Sequence, residues 1–243
     1  MSEIPLPPWR RAVAKRPRAA KAPLTQDQIV DAGLRIVMVE GIEAVSMRRI
    51  AAVFDTGASS LYAHVANKDE LLQLMFDRIC AEVEVPEPEP VRWREQIKEM
   101  ARHSHAVMTR YNNIARAALA TVPSGPNALR LSEGMLTIML AGGVPPQVAA
   151  WSLDRLFLYI VADAYENSLH MQNLREGQDT REYFEGFVTQ LADFYGDLPA
   201  DRFPNIRAHA KTLTSGSGDE RFEFGLDMLV DGLARYVTDG EGS

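Results

Sequence analysis

Residues 57–72 read GASSLYAHVANKDELL, and the first half of this stretch predicts a short helix over 58–65. Ala58, Leu61 and Val65 recur at i, i+3 and i+7, so they share one apolar side. A helix of this length is only marginally stable by itself, because too few backbone hydrogen bonds form to offset the free-energy cost of nucleation. The segment 58–65, called the reader segment below, therefore needs other helices behind it.

Helices are predicted on both sides of the reader segment. Thr25 and Gln28 form a capping box at the start of a helix over 25–40. A second helix is predicted over 46–54 and a further one over 67–85, each with apolar residues at helical spacing. Two helices followed by a short turn and a third short element are the helix-turn-helix pattern of DNA-binding proteins.

Cations occupy unfavourable positions in these helices. Arg48 lies in the first turn of the second helix and Lys68 in the first turn of 67–85, where positive charge opposes the helix dipole. A phosphate or a base edge would explain both positions, although solvation beside an acid such as Glu43 is an alternative for Arg48. Serine, tyrosine and histidine in the reader segment can also donate to phosphate oxygens.

The charge is distributed unevenly along the 243 residues. The net charge is −7, yet residues 1–68 hold ten Lys or Arg against six Asp or Glu, a net +4, so the remainder carries −11. A basic N-terminal part joined to an acidic body is typical of a protein that meets a polyanion at one end only. A solvated tail beside an acidic domain would give the same pattern.

Other classes of protein find little support in the sequence. Cys80 is the single cysteine, which excludes an intrachain disulfide and favours a reducing compartment. No apolar run reaches the ~18 residues of a membrane span, and no signal-peptide core is found, so we expect a cytoplasmic protein without a membrane partner. Metal-ligand spacing, phosphate loops and nucleophile–base pairs are missing, so we expect no cofactor, no metal and no enzymatic activity.

The chain resembles the tetracycline-repressor (TetR) family of bacterial transcriptional regulators. The resemblance lies in VSMRRIA at 45–51, LYAHV at 61–65 and NKDELL at 67–72. It extends loosely to the family's tetracycline-repressor-like C-terminal branch, through WREQIK at 93–98 and RFEFGLDMLVDGL at 221–233. In that branch the C-terminal body binds a small inducer and forms the dimer.

The resemblance implies a role for six candidate DNA-binding residues. The position matched by Arg48 reads a base edge, and arginine can bond O6 and N7 of one guanine, which is worth ~1–3 kcal/mol of discrimination. The other positions approach bases or hold the phosphate backbone, through Ser59, Ser60, Tyr62, His64 and Lys68. Packing of Tyr62 or His64 against the protein itself remains an alternative.

One departure from the family falls in the turn before the reader segment. The usual Leu-Gly-Val reads Phe54-Asp55-Thr56 here, so a glycine is replaced. Because aspartate tolerates unusual backbone angles near turns, we expect the bend to be kept.

The sequence predicts an all-α protein in three parts. These are a flexible basic arm over 1–23, a helix-turn-helix domain over 24–85, and a helical effector-binding and dimerisation domain over 91–243. The proline-punctuated stretch 86–90 separates the last two.

Two helices of the body, 147–171 and 219–237, carry more apolar surface than one core needs. Paired with their two-fold copies they would form a four-helix dimer interface; alternatively they complete the core of the monomer. Residues 172–218 look variable and partly mobile.

A pocket for a small apolar or amphipathic effector is expected in the body. Flexible thioethers with a few polar groups suit an apolar guest, although each methionine could equally fill an ordinary core. The candidate residues are Met100, Met108, Met135, Met139, Trp151, Tyr165 and His170.

These features favour a homodimeric repressor of a near-palindromic operator with double-stranded DNA as its partner. Two reader segments would enter successive major grooves about 34–36 Å apart, with phosphate or minor-groove contacts added by the arm 1–23. By analogy with the family, an effector would shift the helix 67–85 like a pendulum and release the DNA. An effector-independent DNA-binding regulator and an α-helical enzyme are the alternatives.

Overall fold

The computed structural model describes residues 23–111, 114–119, 124–173 and 179–237, and over these ranges it contains α-helices and short 3-10 turns without a β-strand. This confirms the all-α prediction. The predicted arm 1–23 lies outside the described residues except for Pro23. The helices are α1 Gln26–Glu40, α2 Met47–Val53, α3 Lys68–Cys80, α4 Trp93–Arg110, α5 Ile114–Leu119, α6 Pro126–Ala141, α7 Pro146–Asn173, α8 Thr180–Gly196, α9 Pro204–Ala208, α10 Ala210–Leu213 and α11 Gly218–Leu233.

Local capping sets the start of α1 as the sequence predicts. The Thr25 hydroxyl accepts from the Gln28 amide at 3.2 Å, and the Gln28 side chain accepts from the Thr25 amide at 3.1 Å. The helix ends at Gly41, which takes a positive φ of 81° that costs glycine little. Both ends of α1 are therefore fixed by residues in or directly next to the helix.

The turn after α2 keeps its bend without glycine. The amides of Asp55 and Thr56 donate to the carbonyls of Ala52 at 3.2 Å and Ala51 at 3.1 Å, which is the hydrogen-bond pattern of a Schellman motif. Asp55 occupies the position that glycine usually takes, with a φ of 51°. The expectation that aspartate would support this bend is confirmed.

The reader segment differs from the sequence prediction. The prediction of a regular helix over 58–65 is wrong. Instead, a 3-10 turn at Ala58–Ser60 is followed by non-helical turns. Its backbone bonds are mostly of the i→i+3 type, and the one i→i+4 bond joins the Val65 amide to the Leu61 carbonyl at 3.0 Å. So short a segment does not propagate an α-helix. The apolar side is nevertheless buried as predicted, with Leu61 and Val65 at the core.

Helix α3 is shorter than the predicted 67–85. It begins at Lys68, after the Asn67 cap, and ends at Cys80. Beyond it the chain leaves the helical path, because Arg130 of α6 donates to the carbonyls of Cys80 at 3.0 Å and Val83 at 2.8 Å. A side chain from another helix therefore decides where α3 stops.

The C-terminal helices enclose α4 and the central part of α7. Polar contacts join α4 to its neighbours: Arg102 bonds both carboxylate oxygens of Glu223 on α11 at 2.7 Å, and His105 lies 2.7 Å from the carboxylate of Asp163 on α7. Lys98 also contacts Asp227 at 2.7 Å and Asp231 at 3.1 Å, both on α11. The hydrogen bond and charge of Arg102 lower the pKa of Glu223. The buried core runs without interruption from α1 to α11.

The region predicted to be variable contains regular structure. Helix α8 starts at an Asp179 cap, whose carboxylate accepts from the Glu182 amide at 3.0 Å. None of the α8 residues is buried, and the helix packs on α9 and α10. Helix α8 was missed by the sequence analysis, although Phe184, Phe187, Val188, Leu191 and Tyr195 lie at i, i+3, i+4, i+7 and i+11 and could have predicted an amphipathic helix.

Substitution of Asp55 tests the strained turn. We expect Asp55→Val to lower the free energy of unfolding by ~1–2 kcal/mol more than Asp55→Asn, since a β-branched residue tolerates a left-handed φ poorly. Urea unfolding followed by circular dichroism measures both. Equal stability of the two variants would show that the bend does not depend on this backbone angle.

Candidate nucleic-acid interface and ligand cavity

The reader segment is held in place by contacts with α1 and with the turn before it. The side-chain amide of Gln26 donates to the backbone carbonyl of His64 at 3.0 Å, and the hydroxyls of Thr56 and Ser60 lie 2.9 Å apart. With Leu61 and Val65 buried beneath, the outer side of the segment is left to solvent. Local bonds therefore fix a short element that could not hold its shape alone.

The outer side carries the predicted polar residues. Ser59 and Ser60 are exposed, and Tyr62 is 54% exposed, so the alternative in which Tyr62 packs in the core does not apply. His64 is half-buried and its backbone carbonyl is engaged by α1. Lys68 is half-buried in the first turn of α3, after the Asn67 side chain that accepts from the Glu70 amide at 2.8 Å.

The two adjacent arginines of α2 have different surroundings. Arg49 donates to the Glu40 carboxylate at 2.7 Å. Arg48 is exposed and pairs with no residue in the described ranges. The acid that the sequence offered for Arg48, Glu43, instead contacts Arg116 of α5. Arg48 is therefore the cation of this pair that is available to an external anion.

Helix α3 belongs to both halves of the molecule. Its Arg78 side chain bonds Asp31 of α1 at 2.9 Å and also contacts Asp27. In the same C-terminal half of α3, Phe76 and Cys80 face the helices of the body. A single helix thus runs from the neighbourhood of the reader segment to the body.

The side chains of Asp77 and Arg130 join α3 to α6 through hydrogen bonds to backbone groups at the ends of these helices. The Asp77 carboxylate accepts from the backbone amides of Asn127 at 2.9 Å and Ala128 at 3.0 Å, which caps the start of α6 from outside. Glycine at position 125 is required there, since an added Cβ would lie 2.2 Å from the Asp77 carboxylate. Arg130 caps the end of α3 in return, so each helix satisfies the other's free backbone groups.

A cavity of about 220 Å³ lies between α3, α4, α6 and α7. Its walls are mostly apolar, and two of the seven predicted pocket residues, Met108 and Met135, line it. The other lining residues are Phe76, Cys80, Ser104, Ala128, Leu131, Ser132, Ala150, Leu153, Asp154, Phe157 and Ile160.

The remaining five predicted pocket residues lie elsewhere. Met100 and Met139 are fully packed in the core, and Tyr165 packs against it half-buried. Trp151 points outward and is 67% exposed, in a groove between α7 and α11. His170 contacts the rings of Phe184 and Phe187 at centroid distances of 5.3 and 5.5 Å, beside a second cavity between α7 and α8–α10.

Several lining residues were missed by the sequence analysis. Phe76 and Cys80 of α3 looked like ordinary core positions, although Ser104 shares a helix face with the predicted Met100 and Met108 and could have been found from that spacing. Burial raises the pKa of the Cys80 thiol to about 12, so this thiol stays protonated. Within the described ranges no group of histidine, cysteine and acid has metal-ligand geometry.

The fold and the two sites define a helix-turn-helix regulator with a ligand cavity, and the relatives agree. Residues 29–75 match the family described as bacterial regulatory proteins, tetR family, and residues 85–237 match the tetracyclin repressor-like C-terminal domain. The HTH-type transcriptional repressor DrrR1 of Streptomyces coeruleorubidus is 32% identical over 232 residues, which cover 94% of this chain and 84% of that protein.

Solved structures of similar proteins agree with the sequence matches. Apo ActR from Streptomyces coelicolor superimposes with a TM-score of 0.79 at 43% identity, over 90% of this chain and 98% of that chain. ActR in complex with actinorhodin gives the same TM-score of 0.79 at 43% identity, over 91% of this chain and 100% of that chain.

The chain belongs to the TetR family of bacterial regulatory proteins. It is a ligand-responsive DNA-binding repressor. Within the described ranges, none of the helices has the length and apolar character needed to cross a membrane.

Replacement of Asp77 tests the cap that joins α3 to α6. Asp77→Ala leaves two backbone amides of α6 without their acceptor, so we expect a loss of ~0.5–2 kcal/mol in the free energy of unfolding. Asp77→Asn keeps one carbonyl acceptor and should lose less. Both values come from urea unfolding, and an alanine variant as stable as the wild type would contradict the role of this cap.

Proposed function

We propose that the chain acts as a homodimer that binds a near-palindromic operator and leaves it when a small apolar or amphipathic effector enters the cavity. The observation that carries this proposal is the position of α3. Lys68 begins the helix next to the reader segment, while Phe76 and Cys80 near its end line the cavity. An occupant of the cavity therefore contacts the same rigid element that supports the DNA-binding surface.

The DNA-binding surface consists of the reader segment with the start of α2 and the start of α3. Arg48 is exposed and has no partner among the described residues, and this supports direct contact with a base edge. Ser59 and Tyr62 face solvent from the reader segment and would contact bases or phosphates. The remaining candidates, Ser60, His64 and Lys68, would contact the DNA backbone and hold the protein in register.

Release of DNA requires that the effector favour a different position of α3. An effector changes an equilibrium only through unequal affinity for its two states. The mutual caps formed by Asp77 and Arg130 support such coupling, because α6 supplies four lining residues of the cavity and cannot shift while α3 stays unless these bonds break. ActR in complex with actinorhodin supports a small organic molecule as the occupant here.

The dimer would form through α7 and α11, as the helices 147–171 and 219–237 predict. Large apolar side chains stand exposed on these helices: Phe224 is 67% and Met228 63% exposed, together with Trp151, Leu158 and Tyr236. Several large apolar side chains exposed on neighbouring helices favour an interaction site, and the same patch on two copies would give a closed two-fold interface.

Two coarser features complete the proposal. We place the functional boundaries at 24–85 and 91–243; the family matches over 29–75 and 85–237 support a division in this region. We place the protein in the cytoplasm, where its DNA target and its lone reduced cysteine are expected.

Comparison of the two neighbouring arginines tests the DNA contacts. We expect Arg48→Ala to weaken binding to a selected operator by ~1–3 kcal/mol and to relax the base preference at one position of each half-site, as loss of a base contact would. Arg49→Ala is the matched control, since Arg49 is held by Glu40. Binding-site selection from random DNA and fluorescence anisotropy measure both effects; an Arg48→Ala protein with unchanged preference would contradict the assignment.

Charge reversal in the apolar patch tests the dimer. The double variant Phe224→Glu/Met228→Glu places four like charges in a two-fold interface, so we expect sedimentation equilibrium to show a monomer at concentrations where the wild type is a dimer. Val91→Glu is the control, because Val91 is exposed between the two halves and outside the patch. A double variant that remains dimeric would place the interface elsewhere.

A further inference from the structure

A smaller side cavity adjoins the one between α3, α4, α6 and α7. This side cavity of about 10 Å³ is lined by four residues that also line the main cavity, which are Cys80, Ser104, Met108 and Leu131. Its other walls are the aliphatic side chains of Ile79, Val83 and Val107. A space of this size is about what one water molecule or one oxygen-sized substituent requires.

Ser104 supplies the hydroxyl at this position. The residue is 5% exposed, and its hydroxyl forms no hydrogen bond with any part of the chain that the structure describes. Buried hydroxyls normally have a partner, because an unpaired polar group in an apolar surrounding is destabilising. A serine hydroxyl can donate to a carbonyl oxygen or accept from a hydroxyl, so a neutral oxygen substituent would satisfy it.

The other groups around the side cavity are apolar or weakly polar. The Cys80 thiol is protonated and is only a weak donor. No charged side chain lines the side cavity among the described residues. The acid of the main cavity, Asp154, lies on the exposed side of α7 and contacts Arg155, so it cannot neutralise a charge at the inner end. The guanidinium of Arg130 lies nearby, but it already donates to the carbonyls of Cys80 at 3.0 Å and Val83 at 2.8 Å. An ionised group placed in the side cavity would therefore lose its hydration without a lining side chain of opposite charge.

We propose that the effector is an apolar ring compound whose inserted end is uncharged and carries one hydroxyl or carbonyl oxygen, which occupies the side cavity and hydrogen-bonds Ser104. This inference rests on the proposed function, since it takes the main cavity as the effector site. The ring body fills the apolar main cavity, and the single oxygen fixes its direction of entry. Ser104 is thus a specificity-determining residue for the effector.

Two matched compounds test the inference: 2-naphthol, and 2-methylnaphthalene, in which a methyl group of similar size replaces the hydroxyl. Titration calorimetry with the full-length protein measures the two dissociation constants. We expect 2-naphthol to bind about tenfold more tightly, the factor that one net hydrogen bond gives. In Ser104→Ala we expect the ratio to fall to about one, chiefly because the affinity for 2-naphthol drops.

Ser132→Ala is the control variant. The Ser132 hydroxyl lines the same cavity but already donates to the Ala128 carbonyl at 3.0 Å, so the preference should persist without it. A preference that survives Ser104→Ala, or one that Asp154→Asn abolishes, would place the oxygen elsewhere and overturn the inference. Equal binding of the two compounds to the wild type would overturn it too, with water as the occupant of the side cavity. Failure of both compounds to bind would overturn the effector site itself and this inference with it.

Discussion

The mutual capping of α3 and α6 is the constraint on which the rest of the structure depends. The first amides of any helix lack partners within that helix, and so do its last carbonyls. Here Asp77 of α3 satisfies the start of α6, and Arg130 of α6 satisfies the end of α3. A side chain of each helix therefore caps one end of the other helix. Because hydrogen bonds are directional, these caps fix the relative orientation of the two helices more strictly than apolar packing does. The same contact requires glycine at position 125, since no Cβ fits beside the Asp77 carboxylate.

The DNA-binding surface depends on that contact because the reader segment has little stability of its own. Its buried contribution consists mainly of Leu61 and Val65, and its backbone is a 3-10 turn rather than a helix. Its orientation is therefore set by α1, α2 and α3. Of these three helices, α3 is the one with cavity-lining residues. A small molecule bound in the cavity can therefore change the positions of Arg48 and Tyr62 through α3. Rigid secondary structure with two possible arrangements is a physical route for such coupling.

Much of the fold and of the DNA-binding site could be predicted from residues close together in the chain. The Thr25–Gln28 box and the Asp55 turn both formed as their local chemistry indicated. The pocket was predicted poorly, with Met108 and Met135 at the cavity and Met100 and Met139 in the core. These four residues look alike in sequence, because helical spacing assigns a face to a side chain and does not say whether the facing helix leaves a gap.

By itself the sequence determined that this protein is all-α, that a helix-turn-helix lies near its N-terminus, and which local caps start its helices. Those properties follow from periodicity and from bonds between residues three or four positions apart. Only the tertiary structure decided where α3 stops, which arginine of α2 pairs with Glu40, and which side chains surround the cavity. Each of these depends on groups that come from another helix, such as Arg130, Glu40 and Phe157, and their distances are fixed only when the helices pack.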